Sequence, residues 1–408
     1  MELNYGSSME MSVVVREYDG ERDLEEVEKL ERNCEIGSRR GFSIITNMMG
    51  DPLCRVRLFP LHVMLVGVGV AEFVGVGEIV GVVRGCMKCV GTGLGAGNVW
   101  IGCILGLRVS PKHRRMGIGL KLMKSIEAWA VRNGAEYILL ATDENNVASI
   151  NLFSLKCHYV KLSSLAIFVQ LTDTHPKIHA PSNDVAIEKL SIEQAILLYK
   201  DRLANEKFFP LDIDNILNEE LSLGTWVSYY KGERWSGLHC KGKDGEFLNN
   251  TPSSWAVVSM WKTYDSYKFQ VKATPLFRCI HASLKQIGPN FLHCLRIPLA
   301  CKLPLKLFGF LFLYGLHGEG DNVRELLNSL WCFAFNMVRD VRDCKAIVSE
   351  VSLNDPLYAH MPWVSSTSCI NDIWFFKRVG TSKGVMKGEE NWVEMNPRVH
   401  CFVDPRDF

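Results

Sequence analysis

Residues 105–119 read LGLRVSPKHRRMGIG and restrict the fold more than any other stretch of this 408-residue chain. A β-prone run, Ile104 to Val109, stops at Ser110-Pro111. A basic turn follows, then Gly117-Ile118-Gly119, then a helical pattern to about Asn133 with apolar Leu120, Met123, Ile126, Trp129 and Ala130. A strand that enters a helix through such a turn leaves backbone N–H groups free at the positive end of the helix. Glycine at 117 and 119 removes the Cβ atoms that would hold phosphate oxygens away from those amides, and Arg114 and Arg115 add charge. The turn suits a diphosphate. A P-loop would need GxxxxGK[ST], and a dinucleotide fingerprint a third glycine; both are absent.

The pattern around the turn predicts a mixed α/β (α+β) fold. Val13–Tyr18 reads as a strand, Asp19–Glu35 as a helix, and 36–60 as an irregular basic segment suited to the substrate side. Val63–Val70, Glu78–Val90 and Trp100–Val109 read as strands, with the glycine-rich 91–97 as a hairpin tip. Tyr137–Ala141 is a strand after the helix; another helix and strand reach about residue 170. The expected organisation is a disordered start (1–11), a first domain (12–172), a linker (173–185, within THPKIHAPSND) and a second domain (186–408). The second domain repeats the plan weakly. Strands at Gly224–Tyr230, Trp255–Tyr264 and Phe308–Tyr314 lead to Gly315–Gly320, a helix from Val323 and a strand at Lys345–Val351. This second turn has no arginine and carries Glu319, so one diphosphate per chain is expected.

Composition excludes several classes. A formal charge of +1 gives no global field for nucleic acid or anionic membranes, so neither partner is expected. The apolar stretches Leu61–Val83 and Phe291–Leu316 are interrupted by charged residues and do not make a spanning helix. The 14 cysteines show no paired framework and no signal peptide precedes them, which predicts reduced thiols in a soluble nuclear or cytoplasmic protein that is not secreted. Cys86 and Cys89 form a CxxC within a strand, where a three-residue step points the side chains to opposite faces, so no metal is expected.

The string R-x-x-G-x-G from Arg114 to Gly119 resembles the acetyl-CoA signature of the GNAT N-acetyltransferases, and NNVASINLF from Asn145 to Phe153 resembles their second block. The further blocks KCHY, FFPLDID, LNEELSLGTW, SSWAVVSMW, YGLHGEG and FVDPRDF make nearly the whole chain similar to the plant hookless-type N-acetyltransferases. The resemblance implies a GNAT fold, its mostly antiparallel mixed sheet flanked by helices, followed by a degenerate GNAT-like second domain. It implies acetyl-CoA as donor and direct transfer to a protein amine, a lysine or an N-terminus. A histone or transcriptional regulator would be the acceptor, in hormone-controlled (ethylene, auxin) growth of the apical hook. A non-catalytic acetyl-CoA-binding regulator or scaffold is the alternative.

The resemblance also assigns residues. Arg114, Arg115, Met116, Gly117, Ile118, Gly119 and Leu120 would hold the cofactor, Leu107 and Val109 would run beside its pantetheine, and Asn145 or Asn146 would bond it or cap a helix. Phe153 stands where many relatives carry a tyrosine that protonates the leaving thiolate, a role phenylalanine cannot fill. His158 replaces a glycine and reads as a turn residue or a weak catalytic candidate. A lysine amine with a pKa of ~10.4 must lose a proton before attack, so a base is needed. Glu35, Asp143 and Glu144 are the candidates, and the sequence does not choose among them.

Overall fold

In a computed structural model of the chain the described residues are 12–34, 36–39, 42–71, 74–93, 97–172, 183–239, 245–273, 307–362, 367–380 and 400–408. β1 (Ser12–Glu17) leads into α1 (Gly20–Asn33), whose start is capped by the Asp19 side chain accepting from the Glu21 and Arg22 amides. β2 (Ile36–Arg39) and β3 (Phe42–Asn47) precede the long strands β4 (Leu61–Ala71), β5 (Val74–Gly91) and β6 (Asn98–Val109). Then come α2 (Ile118–Arg132), β7 (Tyr137–Asp143), α3 (Val147–Asn151) and β8 (Val160–Leu171). The second half opens with β9 (Val185–Lys189), α4 (Ile192–Arg202), α5 (Ile213–Asn218), β10 (Ser222–Tyr230) and α6 (Glu246–Asn249). It continues through β11 (Trp255–Lys262), β12 (Lys268–Ala273), β13 (Gly309–Glu319), α7 (Val323–Val338), β14 (Cys344–Ser352) and β15 (Thr367–Arg378).

Twelve strands form one sheet in the order β1-β4-β5-β6-β7-β15-β8-β14-β13-β11-β10-β9. Its pairing pattern reads the same from both edges. The only parallel pairs among the described strands, β6 with β7 and β13 with β14, stand at matching places either side of the central antiparallel pair β15 with β8. β15, from the second half, lies between β7 and β8, and β8, from the first, lies between β15 and β14. Strands from both sides of residues 173–182 thus belong to one sheet.

Helices and loops cover both faces. α2 lays Leu122, Met123 and Ile126, all fully buried, on one face, and α7 covers the same face of the second half. Each such side chain contributes roughly 1.5–3 kcal/mol by burial. The opposite face carries the largest core, which joins residues of both halves, among them Leu105, Leu139, Leu165, Phe208, Tyr314, Val348, Trp374 and Phe402. Residues 400–408 run along it. Lys88 of β5 meets Asp407 and Asp404 there, and Arg406 pairs with Asp404 and Asp212.

Several local expectations change. The irregular 36–60 segment contains β2 and β3, which join β12 in a separate three-stranded sheet. Gly315 to Glu319 belong to β13, so the second turn is only Gly320–Asn322. Cross-strand bonds to β11 decide this, since Glu319 pairs with Trp255. Glu319 is therefore on a strand and not at a helix start. Its carboxylate accepts from Trp255 Nε1 at 3.2 Å and lies 3.4 Å from Arg202 Nε. Leu61–Val83 lies largely in β4 and β5, and among the described residues no helix is long and apolar enough to cross a membrane. Residues 1–11, Glu35 and 173–182 lie outside the described residues.

Candidate active site

The site begins where two strands part. β6 and β7 pair only from Ile101–Tyr137 to Ile104–Leu140. β6 stays paired with β5 as far as Val109–Gly81, so one edge of Leu105–Val109 has no strand partner. A bulge drives the parting: Gly106 has φ +60°, and register with β5 shifts between Val82 and Arg84. Arg84, fully buried, fills the space beneath. Its Nη1 would stand 2.8 Å from a Cβ at 106, bonds Glu31 at 2.9 Å, and its Nε donates to Pro52 O at 2.6 Å. Leu107 and Val109 are half-buried on the open stretch.

The basic turn closes the opening. Gly117 caps α2 with φ +77° and no side-chain bond, and the first helical bond runs from the Lys121 amide to Gly117 O. The amides of Ile118, Gly119 and Leu120 thus precede the first bond of the helix. Those of Arg115, Met116 and Gly117 have no acceptor among the described residues. Arg114 folds back to donate from Nε to Val109 O at 3.4 Å, and Arg115 holds φ +68°. Neither arginine makes an ion pair among the described residues, so the turn presents uncompensated positive charge beside free donors.

The remaining sequence candidates separate into structural and open groups. Asn146 caps α3, accepting from the Ser149 amide at 3.2 Å. Asn145 donates from its amide and Nδ2 to Asp143 Oδ1, at 2.7 and 2.9 Å, so that carboxylate closes the bend after β7. Glu144 accepts from Asn371 Nδ2 at 3.2 Å. His158 is exposed at φ +61°, a turn conformation with a steric cost to a side chain. Phe153 is 5% exposed and packs edge-on against Tyr159 and Phe375 within the core under α2. Phe153→Tyr would bury a hydroxyl in that cluster; we expect a stability loss of ~1–3 kcal/mol, read by calorimetry, with ligand affinity unchanged.

One carboxylate that matters was absent from the sequence candidates. Asp372 of β15 pairs in register with Asp143, beyond the point where β6 and β7 part. By alternation it shares the face of Trp374 and Leu139 in the large core. Burial, then the charges of Asp143 and Glu144, push its pKa up to about 6. A polar Asn-Asp in the apolar run CINDIWFF is its only local signal; its neighbours come from more than 200 residues away.

The acetyltransferase (GNAT) family matches residues 64–159, from β4 through the parted strands to the end of the α3 region. The chain is 38% identical over 411 residues to the Probable N-acetyltransferase HLS1 of Arabidopsis thaliana, covering 97% of this chain and all of that one. It is 32% identical to the rice protein Acetyl transferase GW6a, over 98% of each chain. In fold it is similar to a Saccharomyces cerevisiae N-myristoyltransferase solved with bound myristoyl-CoA, with TM-score 0.52 and 12% identity over 90% of this chain and 82% of that one. Identity of this extent along essentially the full length of its plant relatives places the protein in the hookless-type group of GNAT N-acetyltransferases, and its activity is N-acetyl transfer.

Proposed function

We propose that the first half binds one acetyl-CoA per chain and passes its acetyl group directly to an amine of a protein acceptor. The observation that carries this reading is the conjunction of the parted strands β6 and β7 with the unpaired donors at Arg115–Leu120. The turn amides with Arg114 and Arg115 would hold the diphosphate, and the free edge of Leu105–Val109 would align the pantetheine. A backbone N–H on that edge, kept in place by the bulge over Arg84, would meet the negative charge developing on the carbonyl oxygen.

Asp372 is the group we assign to receive the amine proton. A carboxylate with a pKa near 6 is mostly ionised at neutral pH and is a stronger base than an ordinary aspartate. Asp143 is less suited, since its oxygen already accepts two bonds from Asn145. The second half lacks a matching donor site: its turn is three residues long and Glu319 is engaged with Arg202 and Trp255. We read 12–172 and 186–408, joined by 173–185, as two repeats forming one working unit. The acceptor would be a lysine or N-terminal amine of a histone or transcriptional regulator, in the nucleus or cytoplasm, in keeping with a role in hormone-controlled growth.

Transfer of radiolabelled acetyl from acetyl-CoA to a peptide pool tests the reading. We expect label in the peptides, and a fall of 100-fold or more in kcat for Asp372→Asn with acetyl-CoA affinity unchanged. Binding of acetyl-CoA without any transfer would leave a regulator in place of an enzyme of this specificity. Full kcat in Asp372→Asn would remove the assigned base.

A further inference from the structure

Along the sequence the thiol nearest to Cys86 is Cys89, but a three-residue step in β5 turns the two to opposite faces. Across the sheet the partner is different. Register sets Cys86 of β5 directly opposite Cys103 of β6, so both side chains leave the same face. Residues 400–408 bring Asp407 to that place. The Cys86 thiol, the Cys103 thiol and a carboxylate oxygen of Asp407 all lie within 4.8 Å of one another. Zinc holds thiolate sulfur at ~2.3 Å and carboxylate oxygen at ~2.0–2.2 Å, which puts tetrahedral neighbours roughly 3.6–3.8 Å apart. The three groups stand close to that spacing.

A second observation points to a ligand. Lys88 bonds Asp407 through Oδ2, but Asp407 Oδ1 is buried and has no hydrogen-bond partner among the described residues. An enclosed carboxylate oxygen without a donor is unfavourable. Cys86 is fully buried and Cys103 is 4% exposed, so the thiols are equally cut off from water. A cation among the three groups would satisfy the orphaned oxygen and use both sulfurs.

Charge selects the ion. Lys88 and Arg406 already balance Asp407 and Asp404, with Asp212 reaching Arg406 from the more exposed side. The thiols start neutral, since burial, then the bond with Cys103, raises the Cys86 pKa. An incoming cation must therefore bring its own compensation. A divalent ion that displaces one proton from each thiol adds two positive and two negative charges, which leaves the balance untouched. A monovalent ion on the same two thiolates would leave a net negative charge in the core. Magnesium and calcium take oxygen ligands, whereas two sulfurs and one oxygen suit zinc.

We propose that Cys86, Cys103 and Asp407 bind one zinc ion, with its fourth position open to water. The two thiol protons leave to solvent as the sulfurs ligate. The ion would tie residues 400–408 to β5 and β6 one residue before the pairing of β6 with β7 ends at Ile104–Leu140. It thus braces the base of the opening and takes no part in the transfer step. The site is independent of the proposed acetyl transfer and is measured without it.

The test uses full-length protein made with added zinc and purified reduced, without chelator. Plasma mass spectrometry should find close to one zinc per chain, and cobalt(II) in its place should show sulfur-to-metal charge-transfer absorption. Stripping the zinc should lower the melting temperature by about 5 °C, regained when zinc is returned. Cys86→Ser, Cys103→Ser and the near-isosteric Asp407→Asn should each weaken zinc binding at least about tenfold, the lower range for losing even a supporting residue. Cys89→Ser should leave the metal content unchanged, which separates the cross-strand pair from the CxxC. If a serine variant fails to fold, the parent's zinc content and cobalt spectrum still decide. Folded parent protein with neither zinc nor the cobalt absorption would overturn the proposal, as would a Cys86–Cys103 disulfide in metal-free protein. Zinc retained in both cysteine variants, or lost in Cys89→Ser, would do the same.

Discussion

Gly117→Glu is expected to weaken acetyl-CoA binding at least 100-fold, about 2.7 kcal/mol, while the protein stays folded. Gly117 sits at φ +77° with no atom within 4 Å of where a Cβ would lie, so a side chain there meets backbone strain and no clash. The strain costs ~1–2 kcal/mol. A carboxylate near the start of α2 recovers ~0.3–1 kcal/mol from the helix dipole. The fold therefore loses little. Binding loses much, because the new carboxylate competes for the free amides of the turn and repels the incoming diphosphate beside Arg114 and Arg115. Gly117→Ala separates the two effects: it carries the strain without the charge and should stay within tenfold of the parent. Calorimetric titration reads both variants. Parent-like affinity in folded Gly117→Glu would move the donor site away from this turn.

The second large effect concerns the exchanged strand. A fragment of residues 1–172 is expected not to fold to a cooperative monomer, and co-expression with 186–408 is expected to restore it. β15 contributes seven register pairs to β7 and ten to β8. Without it two long strand edges stand unpaired inside what was a continuous sheet, a template for aggregation. Trp374, Phe375 and Phe376, each no more than 4% exposed, also go. Losing large buried aromatics costs ~3–5 kcal/mol each, together comparable with the 5–15 kcal/mol that holds a typical domain. Size-exclusion and thermal melting check this. A monomeric 1–172 with a sharp transition would show that the β7–β8 gap closes unaided.

The parts legible in the sequence were those with a local physical signature. The strand–basic turn–helix unit at 104–133 shows itself because glycine spacing, charge and a 3.6-residue apolar period all fall within thirty residues. The strands of the second half were legible for the same reason, as short runs of apolar and β-prone residues at Gly224–Tyr230, Trp255–Tyr264 and Lys345–Val351 that appear as β10, β11 and β14. Where local pattern misled, a distant partner had won. Gly315–Glu319 looks like a flexible turn but is tied into a strand by β11. Residues 42–47, within the segment expected to be irregular, pair with β12, more than 200 residues later.

The sequence alone thus determined the family and the strand–basic turn–helix unit at 104–133, since each rests on residues close together along the chain. Only the tertiary structure decided that the repeats share one sheet by exchanging β8 and β15. It alone placed Asp372 beside Asp143, and Glu350 within hydrogen-bond reach of Trp374 on the same face. Those arrangements are pairings between strands far apart in sequence. A hydrogen-bond ladder constrains register and face but not which segment supplies the partner, so they leave no local trace to read.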